Sequence, residues 1–315
     1  MKIQAIASGL LAAALMIIGT GCTVNDISTA GGGLIGTGTN PPGAAQTLSA
    51  FATIGSTATF QGPDGIQYIN GDLWIADGIN NNLQEWATNG TSPITTLSSY
   101  AAGASFFFTP EGVGLDRVSG NVYLADPGNS QVEVFNSTGI YLTALSANLS
   151  GSLPTGVAVN SAGTTVYVVG SLSDSVYVFS ISAGPSFLPV TVFGASGPTG
   201  STLNSPQNIH LDSGGNVWVA DSRNSRLAEY SAAGTFTKSI PGASGFFPTD
   251  FAFDSNNNIY ATDISTNSII EFSKTGSQVG QAGSGILSNP QAITGNGSGT
   301  FYVTDTNNSR IIAFH

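Results

Sequence analysis

The chain has 315 residues, with 18 acidic and 7 basic side chains, a formal net charge of −11 and only 8% charged residues overall. That balance repels nucleic acid and leaves no basic patch, which argues against DNA or RNA as a partner. A single cysteine rules out an internal disulfide framework, so stability must rest on core burial and chain closure.

The first element is a signal peptide over residues 1–21: one basic residue, Lys2, then an apolar run from Ile3 to Ile18 ending in small residues. Cys22 follows Ile-Gly-Thr-Gly directly. This resembles the lipobox of bacterial lipoproteins, with glycine at position 19 where that family usually has leucine. The resemblance implies a lipidated Cys22, an exported protein of the cell envelope, and membrane contact only through the lipid; plain secretion is the alternative. Residues 22–47 are rich in Gly, Thr, Asn, Pro and Ala and read as a flexible tether.

From residue 48 to 315 a block repeats six times, opening at Pro63, Pro110, Pro154, Pro206, Pro248 and Pro290. Each block runs to Asp77, Asp126, Gly170, Asp221, Asp263 or Asp305. Three residues earlier stands an aromatic (Trp74, Tyr123, Tyr167, Trp218, Tyr260, Tyr302), and nine residues later another (Trp86, Phe135, Phe179, Tyr230, Phe272, Phe314). Within a block, segments such as Asn-Val-Trp-Val-Ala-Asp and Arg-Leu-Ala-Glu-Tyr alternate with period two, are bounded by Gly, Asn and Ser, and read as strands. One block cannot bury its own apolar face, so stacked copies must cover one another. Four antiparallel strands per block predict an all-β, six-bladed propeller.

The blocks resemble the NHL repeat, closest at Asn224-Ser-Arg-Leu227 and Asn308-Ser-Arg-Ile311. The third block departs from it: Val166-Tyr-Val-Val-Gly170 has no aspartate and is similar to the YVTN-type repeat, so Ser171, Ser173 or Asp174 must hold its turn. The recurring aspartates and aromatics read as blade construction rather than chemistry. The last block stops at its third strand. Residues 50–56 are predicted to supply the missing strand beside Phe314, because an open ring would leave an unpaired edge.

Candidate functional residues are therefore sought where the blocks disagree. The residue after each opening proline should ring one mouth of the channel: Asp64, Glu111, Thr155, Gln207, Thr249 and Gln291. Asn208, His210, Asp250 and Arg223 are expected nearby. Propeller lyases similar to this chain use histidines, some with zinc, but one interior histidine and no free thiol cannot build a zinc site. No cofactor is predicted; an oxygen-ligated calcium or magnesium using Asp64, Glu111 and Asp250 is the one metal alternative. Three functions stay open: a monomeric, non-catalytic binding module for a protein or glycan; a lyase or hydrolase acting at the channel mouth; or an envelope scaffold or sensor.

Overall fold

The computed structural model describes residues 48–101, 105–182, 186–195 and 200–315. The expected signal peptide, Cys22 and the expected tether lie outside them. Among the described residues, six four-stranded antiparallel sheets follow the six blocks. Blade 4 is typical, with strands Pro206–Leu211, Val217–Asp221, Arg226–Tyr230 and Phe236–Pro241. The first strands of successive blades neighbour one another in a closed ring.

Closure follows the predicted route. Ala50–Ile54 pairs antiparallel with Arg310–Phe314, with Ala50 opposite Phe314 and Ile54 opposite Ile311. Ser49 and His315 exchange both backbone hydrogen bonds at 3.0 Å. Blade 6 thus holds both the earliest and the last strands described, and Arg310–Phe314 is paired on both sides at the seam.

The repeated aromatics are all buried, at most 6% exposed. Each inter-blade cluster joins the second-strand aromatic of one blade to the third-strand aromatic of the next: Trp74 with Phe135, Tyr123 with Phe179, Tyr167 with Tyr230, Trp218 with Phe272 and Tyr260 with Phe314. Tyr302 with Trp86 completes the circle across the closing seam. The core is therefore six cores between blades, which is why one block could not fold alone.

The recurring aspartate has a wider task than its own turn. Asp221 accepts from Asn224 Nδ2 (2.8 Å) within the turn and from the Asn204 amide (2.7 Å) in the segment entering the blade. Asp77, Asp126, Asp263 and Asp305 reach the amides of Gly62, Phe108, Phe247 and Ser288 in the same way. The fourth residue after each of these positions takes a left-handed φ between 51° and 55° in all six blades. In blade 3, Ser173 Oγ donates to Gly170 O (3.2 Å), while Asp174 reaches forward to the Ser205 amide of blade 4 (2.6 Å). Gly170 has no room for an aspartate: an added Cβ would lie 2.4 Å from Ser173 Oγ and 2.8 Å from Tyr177 Cε2.

A short hairpin, Ser99–Ala101 with Ser105–Phe106, sits between blades 1 and 2. No repeat in the sequence announces it.

Candidate functional site

The hairpin register places the site. Pro63 pairs with Asp77 and Pro206 with Asp221, so the loop before each first strand and the turn after each second strand share one face. On that face Asp64, Glu111, Thr155, Gln207, Thr249 and Gln291, one from each blade, line a single cavity of about 280 Å³. Gly112 and Asn208 complete its wall.

Glycines let the strands crowd together there. A Cβ on Gly112 would lie 2.4 Å from Thr155 O, and one on Gly156 would lie 2.5 Å from Asn208 Oδ1. The Gly112 amide donates to Thr155 O across the blade boundary (2.9 Å). The sequence signal was the Pro-x-Gly triplet of blades 1 to 3, which gives way to Asn208, Asp250 and Ala292 in blades 4 to 6.

Most of the cavity's polar groups are tied to the protein. Thr155 Oγ1 donates to Gln207 O (2.7 Å) and Thr249 Oγ1 to Pro290 O (3.0 Å). Gln207 Nε2 donates to Ser205 O (3.2 Å), and Gln291 Nε2 to Asn289 Oδ1 (3.1 Å). Asp64 and Glu111 differ: among the described residues, neither carboxyl has a hydrogen-bond donor. Burial, with Asp77 behind it, pushes Asp64 up to about 7. Burial and the Asp64 charge push Glu111 up to about 8. Around neutrality the pair is therefore partly protonated, able to donate to a neutral ligand or to ionise beside a cation.

His210 and Asp250 do not join this cavity. His210 follows Asn208 by two residues on an inward-facing strand, about 7 Å further along the axis. It lines a separate cavity of about 170 Å³ with Gln67, Arg117 and Thr294. Its Nε2 lies 2.7 Å from Asp250 Oδ1, and Asp250 Oδ2 accepts the Ile293 amide (2.9 Å). The buried Asp250 thus ties blades 4, 5 and 6 together. Arg223 stands exposed on its turn and does not line the cavity.

Calcium or magnesium needs six or more oxygen ligands. With Asp250 engaged elsewhere, the three carboxylates expected to hold a metal do not converge. Among the described residues, no three His, Cys, Asp or Glu side chains are grouped to bind an ion.

Residues 148–265 match the SMP-30/gluconolactonase/LRE-like region. A comparison with curated proteins gives no match. Among solved structures the chain is similar to streptogramin B lyase, with 15% identity and a TM-score of 0.60 over 85% of this chain and 87% of that one. It is also similar to a catalytically inactive histidine-to-alanine virginiamycin B lyase from Staphylococcus aureus with quinupristin (14%, 0.61, 85% and 99%). A chain of a nidogen–laminin complex matches at 17% and 0.59, over 74% and 84%. At such identities the likeness is one of fold.

Proposed function

We propose that the chain is an exported, lipid-anchored NHL-type propeller that acts as a non-catalytic recognition module. It takes a protein or glycan ligand at the mouth bounded by Asp64, Glu111, Gln207 and Asn208. One observation carries this reading: six polar side chains, one per blade and varied in type, converge on one cavity while the recurring aspartates and aromatics are spent on construction. Such a concave site with a few free polar groups is where a ligand is expected.

The enzyme reading draws on the lyase likeness and on two carboxyls poised near neutrality, suited to proton transfer. Against it, the described virginiamycin B lyase is inactive without one histidine. Here the interior histidine lies outside the mouth cavity and is bound to Asp250.

Thr155→Trp, which fills the cavity, is the test. Oligosaccharide and peptide arrays probed with the wild-type chain should give binders that Thr155→Trp loses. Binders retained equally by both forms would refute the mouth as the site. Calcium or magnesium at millimolar concentration should leave the melting midpoint unchanged; a clear rise would favour the enzyme reading. Cys22→Ser should abolish palmitate labelling, and an unlabelled wild type would remove the anchor.

A further inference from the structure

Six large apolar side chains stand open on the same face as the cavity, and five of them belong to its blade 1–3 side; the sixth, Ile286, lies on the segment entering blade 6. Ile79 and Leu172 lie on the turns after the second strands of blades 1 and 3, while Phe106, Phe108 and Leu153 lie on segments entering blades 2 and 3. They are between 39 and 70% exposed. At the corresponding turn positions blades 4, 5 and 6 carry Arg223, Ser265 and Asn307, so the apolar turn residues are confined to the blade 1–3 side.

This arc is held by the backbone. The Phe108 amide donates to Asp126 Oδ1 (2.9 Å), and its carbonyl accepts from Gly128 (3.0 Å). The Phe108 ring covers Gly128 so closely that a Cβ there would lie 1.9 Å from it, and Ile79 covers Gly62 in the same manner. Leu172 donates to Ser152 O and Leu153 accepts from Ser171, both at 3.0 Å. Contiguous exposed apolar surface of a few hundred Å² marks an interaction site on a soluble domain.

Inside the arc lies the opposite chemistry. Asp64 and Glu111 open on the cavity without donors, and no lysine or arginine among the described residues lines it. The groups facing the pair are each other and Asp77; the remaining wall is uncharged.

We propose that this face docks a protein segment that places a lysine or arginine side chain in the cavity beside Asp64 and Glu111, with apolar neighbours on the Ile79–Phe108–Leu172 arc. The proposal deepens the recognition reading and rests on it. A protein fits better than a glycan because the arc offers apolar side chains, most of them aliphatic branches with no polar tip, and because the two carboxyls lack a counter-charge that a neutral sugar would not bring. An entering cation favours the ionised carboxyls and so expels protons. Affinity therefore rises with pH, by up to roughly tenfold per unit for each proton released, and levels off above the free groups' range near 7 to 8. A neutral ligand held by the protonated acids would show the reverse slope.

A random decapeptide phage library panned on the immobilised full chain tests this. Enriched peptides should carry Lys or Arg between apolar residues. A selected peptide should bind at least tenfold more weakly to Ile79→Ser/Phe108→Ser/Leu172→Ser and to Glu111→Gln, and more tightly at pH 8 than at pH 6. Replacing its cation with glutamine should abolish binding, a control that needs no protein variant. Enriched peptides without a cation, equal binding to the triple variant, or affinity falling with pH would overturn the proposal. Neutral oligosaccharides that bind the wild type and not Thr155→Trp would overturn this partner yet keep the mouth as the site. Failure of both peptides and oligosaccharides would refute both.

Discussion

At the scale of single residues, the recurring aspartate of the second-strand turn is not answered alike in every blade. In blades 4 and 6 an arginine answers it, Arg226 Nε at 2.6 Å and Arg310 Nε at 2.7 Å. Blade 5 uses the hydroxyls of Ser265 and Thr266, both at 2.8 Å. Blade 2 places a second carboxyl there instead. Glu133 is fully buried beside Asp126; its Oε1 accepts from Gln131 (2.8 Å), and its Oε2 has no donor. A proton on Glu133, shared with Asp126, resolves both the orphaned oxygen and the like charges. Burial and Asp126 accordingly push Glu133 well above the usual carboxylate range. Its folded pKa exceeds its unfolded one, so the stability it adds is complete below the unfolded value and is lost as pH climbs through the folded one. Glu133→Gln keeps a donor without the proton. It should match wild type within about 1 kcal/mol at pH 5 and be more stable at pH 9, as read by urea denaturation; a variant weaker at both pH values would contradict the shared proton. Gly170→Asp asks the converse question. Restoring the repeat's aspartate would force it into Ser173 and Tyr177, so it should cost about 1–3 kcal/mol rather than stabilise.

At the scale of elements, the closing strand carries the ring. Deleting residues 46–56 strips Arg310–Phe314 of its partner and removes Ile54, which is buried between blades 6 and 1. An exposed row of unpaired backbone groups invites association. The truncated chain should lose its cooperative melting transition or aggregate during gel filtration, whereas an unchanged transition would show that the seam does not need this strand. This closure was readable in the sequence because it follows from counting strands in a repeat. The six rim positions were readable for the same reason, since a fixed offset from each proline fixes the face. His210 and Asp250 were misplaced because the offset gives the face of a strand but not how far along the axis a side chain sits, nor that Asp250 would turn to His210 and the Ile293 amide. The arc of Ile79, Phe108 and Leu172 has no period at all. Its members become neighbours only once the turns of different blades are brought to one face, and the hairpin at 99–106 escapes notice in the same way.

At the scale of the whole molecule, burial raises most of the shifted carboxyls and tilts stability toward acid. Asp212 is the exception, where burial is outweighed by hydrogen bonds from Asn216, Trp218 and Gly214 that hold it below the usual range. Asp64 rises to about 7 and Glu111 to about 8, each first through burial, and Glu133 rises with them. Even Asp221, paired with Arg226, is raised, because its burial outweighs its hydrogen bonds and the arginine charge. For each raised group the folded state holds its proton more tightly than the unfolded chain does. Stability is therefore fully present below the ordinary carboxylate range and declines as pH rises toward 8 or 9, with a slope of roughly 1 kcal/mol per unit for each proton involved. Asp64 and Glu111 are partly open to solvent, which lessens their share. The net charge of −11 acts in the same direction, since self-repulsion grows as the last carboxyls ionise. The melting midpoint should accordingly fall by several degrees between pH 5 and pH 8.5. Asp64→Asn, Glu111→Gln and Glu133→Gln combined should flatten that fall. A midpoint that climbs over this interval would mean that ion pairs such as Asp221–Arg226 and Asp305–Arg310 outweigh burial. A docked cation should act like the triple substitution, holding Asp64 and Glu111 ionised at little cost, so a peptide selected on this face should raise the midpoint more at pH 8.5 than at pH 5.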